Sequence, residues 1–128
     1  MAHLTVVPRN HAEALDALKG KGSHTIGNNT TLVSSIYSDD ITVRLHGNVI
    51  VIFHGEDVRD MSGCVTFRNA GWGSVTARDR LGQFGQAFGL RFGQRKGEQV
   101  YFNRRLTGYE PLPFSGSLTV SPEGEIVA

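Results

Sequence analysis

Two stretches, ITVRLH (41–46) and VIVIFH (49–54), flank Gly47-Asn48 with apolar residues concentrated at strand-like spacing. A period of two marks β-strands, and a glycine–asparagine pair between two such runs marks a two-residue hairpin turn. With Gly47 and Asn48 as the turn, Leu45 faces Ile50 and Val43 faces Ile52. Ile41, Val43, Leu45, Ile50 and Ile52 then share the core face. Thr42, Arg44, His46, Val49, Val51 and Phe53 fall on the other face, whose apolar members call for partial cover. The N-terminal helix or a second copy of the chain, as a homo-oligomer, would supply it.

Upstream the period is helical. Asn10 and Glu13 stand at N-cap and N3 of a capping-box-like pair, Leu15 and Leu18 repeat along the segment, and Gly20 ends it. These signals predict a helix over about 11–19. The stretch GKGSHTIGNN (20–29) is rich in glycine and asparagine and is expected to be irregular. Residues 1–24 are therefore read as an N-terminal helix with a linker, and 25–128 as one β-rich domain.

TLVSSIYS (31–38) and CVTFRN (64–69) read as strands. In TARDRLGQFGQAF, Thr76 is the expected N-cap and Asp79 the N3 residue of a central helix over about 76–88. Ala77, Leu81, Phe84 and Phe88 form its single apolar stripe. Gly82 and Gly85 each cost a helix about 1 kcal/mol relative to alanine, which points to close packing against a neighbour. Trp72 is expected to close the N-terminal end of this helix as a core residue. LRFGQ and EQVYFN make a second hairpin around Arg95-Lys96-Gly97. LPFSGSLTV (112–120) and EIV (125–127) add short strands, with a turn at 122–124. The fold class is α+β: a mostly antiparallel sheet or small open barrel with one central helix and one N-terminal helix.

Composition narrows the chemistry. A chain of 128 residues, 39% apolar and 20% charged, suits one ordinary globular domain. No apolar run approaches the roughly 20 residues of a membrane span. The start MAHLTVVPRNHAEALD lacks the basic and long apolar regions of a signal peptide, so a cytoplasmic protein is expected. Cys64 is the single cysteine. It excludes a disulfide within the chain and is expected to be a small buried residue in a strand.

No nucleophile elbow, phosphate loop, dinucleotide fingerprint or calcium loop is present. The five histidines, His3, His11, His24, His46 and His54, show no ligand spacing, and no metal or other cofactor is expected. Asp39-Asp40 and Asp57/Asp60 sit beside turns, where aspartate caps backbone groups. The expectation is a non-catalytic protein.

Charge is the informative feature. Residues 68–105 hold Arg68, Arg78, Arg80, Arg91, Arg95, Lys96, Arg104 and Arg105 against Asp79 and Glu98, while the rest of the chain is acidic on balance. Such asymmetry suits a surface for polyanions. Arg78 and Arg80 would project from a helix start, where free N–H groups favour phosphate. Arg95, Lys96, Arg104 and Arg105 would come from the second hairpin, with Tyr101 between them as a stacking surface. Within the helical stripe, G-Q-F-G (82–85) has the form of an RNA-binding glycine loop but carries no basic residue.

Taken in order, TIGNNTTLV, ITVRLHGNVIVIF, GWGSVTARDRLGQF and Gln94-Arg95-Lys96-Gly97 resemble a family of small proteins from tailed bacteriophages. The resemblance covers about residues 25–103 and implies a phage origin, which with the missing signal-peptide features sets the expected location as the host cytoplasm. It implies no particular chemistry. On the residues themselves, DNA or RNA binding through the basic segment comes first. Capture of a host protein, anchored by tryptophan, arginine and tyrosine, comes second, followed by a minor structural role. No membrane partner is expected.

Overall fold

The computed structural model describes residues 4–55, 61–69, 75–104 and 110–127. Asn10 caps the first helix, α1 (His11–Leu18), its side chain accepting the Glu13 N–H at 2.9 Å. Glu13 does not close the box on Asn10. It reaches back to Arg9, accepting the backbone N–H at 3.1 Å and pairing with the guanidinium at 2.8 Å. That pairing holds the Glu13 carboxyl below the usual carboxylate range. The buried stripe of α1 is Ala14, Ala17 and Leu18, whereas Leu15 is 57% exposed, contrary to the expected Leu15–Leu18 pair. A three-residue step places the two leucines on edges of the same side, and the small alanines seat the helix instead.

The glycine-rich stretch after α1 is not irregular. It forms β1 (Ser23–Gly27), which pairs antiparallel with β2 (Thr30–Ser34). Asn29 takes the positive φ of the tight turn between them. Ile26 is completely buried, and its burial organises a segment whose glycines suggested a linker. The strand expected over 31–38 ends at Ser34.

The clearest sequence signal is a hairpin, but its register is shifted by one residue. β3 (Ile41–Leu45) and β4 (Asn48–Phe53) are joined by His46-Gly47, both at positive φ, and Leu45 pairs with Asn48. Val43 lies opposite Val51 and Ile41 opposite Phe53. Ile50 is the extra residue of a bulge, since Arg44 pairs with Val49 and Val43 with Val51. The bulge lets Ile50, Val51 and Phe53 all be buried with Ile41, Val43 and Leu45, and leaves Ile52 half-buried. Histidine tolerates the left-handed conformation well enough to serve as the first turn residue.

β5 (Val65–Arg68) and β9 (Ser117–Val120) complete a six-stranded antiparallel sheet, ordered β1-β2-β3-β4-β5-β9. Expected strand 125–127 reduces to a bridge between Ile126 and Val120. The central helix, α2 (Val75–Gly85), starts one residue before Thr76, which lies within it and is exposed; a 3-10 turn (Gln86–Phe88) follows. Its predicted stripe holds: Ala77, Leu81, Phe84 and Phe88 are all buried. Trp72 lies outside the described residues.

A second, three-stranded sheet consists of β6 (Leu90–Arg95), β7 (Glu98–Asn103) and β8 (Leu112–Pro113). Its hairpin turn, Lys96-Gly97, repeats the geometry of His46-Gly47, with φ of 51° and 81° against 51° and 82°. Phe67 of β5 stacks near Phe88 (6.1 Å) and Phe92 (5.4 Å), and Phe92 near Phe114 (5.0 Å). This aromatic chain joins the two sheets, while Phe84 meets Phe53 at 6.2 Å beneath α2. The sheets do not close into a barrel.

Candidate nucleic-acid interface

The basic residues of 68–105 separate into distinct groups. Arg80 is only 2% exposed, so the expectation of an outward contact residue is corrected. It lies one position from Leu81 and three from Ala77, close enough to the apolar stripe to be drawn inward. Its Nε donates to Thr30 Oγ1 at 3.0 Å, and its Nη1 lies 3.4 Å from Asp79 Oδ2.

Arg78, half-buried rather than fully turned to solvent, lines a groove of about 520 Å³ with Arg91 and Arg104. Asp79, Gln83 and Gln86 of the helical side and Leu90 and Phe92 of β6 complete its walls. Two of the predicted residues, Arg78 and Arg104, are thus brought together, and Arg91 joins them without having been singled out. Among the described residues no carboxylate pairs with any of these three guanidiniums. Asp79, the one acid in the groove among the described residues, is shared by Arg80 and Gln83, whose Nε2 donates at 3.1 Å.

Arg95 and Lys96 are exposed at the far end of the same hairpin. Four residues of strand, roughly 13 Å, separate Arg91 from Arg95. Arg105 lies outside the described residues.

Tyr101 does not stand among these cations. It pairs with Phe92 and packs against the hydrophobic core, on the face that also buries Leu90 and Asn103. Strand alternation puts its neighbour Phe102 on the opposite face, directly across from Arg91. Gly93 offers no side chain there, and the Phe102 ring lies across it, 3.6 Å from where a Cβ would stand. The outer face of β6 and β7 thus presents a half-buried aromatic ring over the Gly93 backbone, beside the buried Val100, with Arg91 and Arg95 on either side along β6. The hairpin register held this signal. Counting back from Lys96-Gly97 pairs Arg91 with Phe102 and leaves Tyr101 with Phe92.

A second polar cluster lies elsewhere. His54 Nε2 is 2.8 Å from Thr66 Oγ1, which is 2.7 Å from Thr119 Oγ1, and His54 Nδ1 is 3.8 Å from Asp40 Oδ2. Asp40 also caps the backbone, its Oδ1 accepting the Gly55 N–H at 3.0 Å. Carboxylate, imidazole and hydroxyl follow the order of a nucleophilic triad. Thr66, however, is buried within β5, and its hydroxyl is engaged by Thr119. The network ties β5 to β9 and to the end of β4. Nearby, Cys64 is a free, buried cysteine, and burial pushes its thiol pKa up, with Glu123 adding to the effect.

Two antiparallel sheets with a helix seated on both define a small α+β protein. The chain belongs to the Kyanoviridae Gp96 protein family, whose model matches residues 8–120. The match bears out the resemblance to tailed-phage proteins and extends it over α1 and β9. No curated protein and no solved structure matches the chain. Among the described residues, no helix is long and apolar enough to cross a membrane.

Proposed function

We propose that this phage protein is a non-catalytic binder of single-stranded nucleic acid, held on the outer face of β6 and β7. The observation that carries the reading is Phe102 lying across Gly93 with Arg91 and Arg95 beside it. Nucleic-acid bases stack on such a ring whatever their sequence, and flanking guanidiniums neutralise the phosphates between them. Lys96 at the hairpin tip and the groove arginines continue the positive surface in both directions.

Phe102 lies outside the main hydrophobic cluster, so Phe102→Ser is expected to fold. It should weaken binding of a fluorescent single-stranded oligonucleotide by roughly five- to a hundredfold, the range for one lost stacking contact. Unchanged affinity would remove this face from the interface.

Host-protein capture is the second reading. Ile36 and Tyr37 favour it, being 85% and 92% exposed on the loop between β2 and β3. Capture of a host protein that is lost in an Ile36→Ser, Tyr37→Ser variant, without any oligonucleotide binding, would promote it.

A further inference from the structure

We infer that the groove between α2 and β6 is a pocket for a phosphate monoester, either a free nucleotide or the phosphorylated end of a strand. The inference extends the nucleic-acid reading; it shares Arg91 with the Phe102 face and otherwise rests on different residues. Arg78, Arg91 and Arg104 converge on the groove against, among the described residues, the single carboxylate of Asp79, which Arg80 and Gln83 already engage. The surplus of positive charge matches the charge of about −1.5 to −2 on a monoester better than the single charge of an internal phosphodiester.

Arg78 gives an independent indication. Its Nε is buried yet has no hydrogen-bond partner. An unsatisfied buried donor is costly, and a phosphate oxygen is the acceptor that a guanidinium fork engages best. The groove also suits more than a bare anion. Its volume of about 520 Å³ falls within the range of small-molecule sites, and Leu90 and Phe92 add apolar wall for a sugar or base. Room is left by Gly82, where a Cβ would meet nothing within 4 Å.

The test compares a short fluorescent oligothymidylate with and without a 5′-phosphate, and uses thymidine monophosphate and thymidine as competitors. The phosphorylated strand should bind about tenfold tighter or better, as expected for new charge-assisted hydrogen bonds. Thymidine monophosphate should abolish the preference where thymidine does not. Arg78→Gln and the groove-filling Gly82→Leu should each erase the preference, and Gly82→Leu, which removes no charge, should leave affinity for the unphosphorylated strand unchanged. If the monophosphate binds as tightly as the phosphorylated strand, the pocket serves a free nucleotide; a much tighter phosphorylated strand assigns it to strand ends. Equal binding of both strands, with no binding of the monophosphate, overturns the pocket while leaving the Phe102 face standing. Binding of the monophosphate without any strand binding supports the pocket and rejects the nucleic-acid reading.

Discussion

Arg80 Nε donates to Thr30 Oγ1 at 3.0 Å, and both residues are buried, so a guanidinium pins α2 to the edge of β2. Thr30 also donates its hydroxyl to the Asn28 carbonyl, which fixes the turn between β1 and β2. The arginine thereby links the central helix to the hairpin that follows the N-terminal helix.

Arg80→Ser is therefore expected to destabilise the protein by about 3 kcal/mol, as for other losses of a buried, paired charge. Urea denaturation checks it. An unchanged midpoint would mean that the Arg80–Thr30 link carries no stability.

Two glycines in α2 should respond in opposite directions. A Cβ at Gly82 meets open space, so Gly82→Ala should gain up to about 1 kcal/mol of helix propensity. At Gly85 a Cβ would stand 2.9 Å from the Phe92 ring and 3.2 Å from the Leu90 carbonyl oxygen. Gly85→Ala should instead cost about 1–3 kcal/mol, as overpacking does. Thermal melts of the two variants test this difference, and a shift of the same sign in both would contradict the seating of α2 on β6.

The first hairpin offers a test of register. Gly47 holds φ at 82°, whereas Asn48 already belongs to β4. Gly47→Ala should cost about 1 kcal/mol and Asn48→Ala clearly less. Leu45→Asp, which buries a carboxylate in the core, should cost several kcal/mol and unfold much of the population. Chemical denaturation of the three variants orders them. A larger loss at Asn48 than at Gly47 would restore the unshifted turn.

Elements governed by local signals were legible in the sequence. Asn10 capped its helix, the stripe from Ala77 to Phe88 was buried as spaced, and Lys96-Gly97 turned the second hairpin. What escaped depended on partners distant in the chain. Ile26 makes a strand of a glycine-rich segment only because β2 lies beside it. The Ile50 bulge is set by packing on both sides of β4, and no periodicity announces it. Arg80 looked like a solvent-facing cation because helical spacing alone cannot reveal Thr30, fifty residues earlier. The candidate site was half legible: its charge was evident, but choosing Phe102 over Tyr101 required the hairpin register to be carried through to strand parity.

Oligonucleotide binding on the outer face of β6 and β7 should be a phosphate-dominated contact. Its most direct test is the salt dependence of single-stranded oligonucleotide binding, followed by fluorescence anisotropy for the wild type and an Arg91→Ser, Arg95→Ser, Lys96→Ser variant. All three side chains are exposed, so the variant should keep its melting temperature. Each lost phosphate contact on a single strand removes about 0.7 from the log–log slope, so three should flatten it by about two units and weaken binding at low salt. A variant with the affinity and salt slope of the wild type, or a wild type that binds no oligonucleotide at low salt, would rule out this face as a nucleic-acid contact.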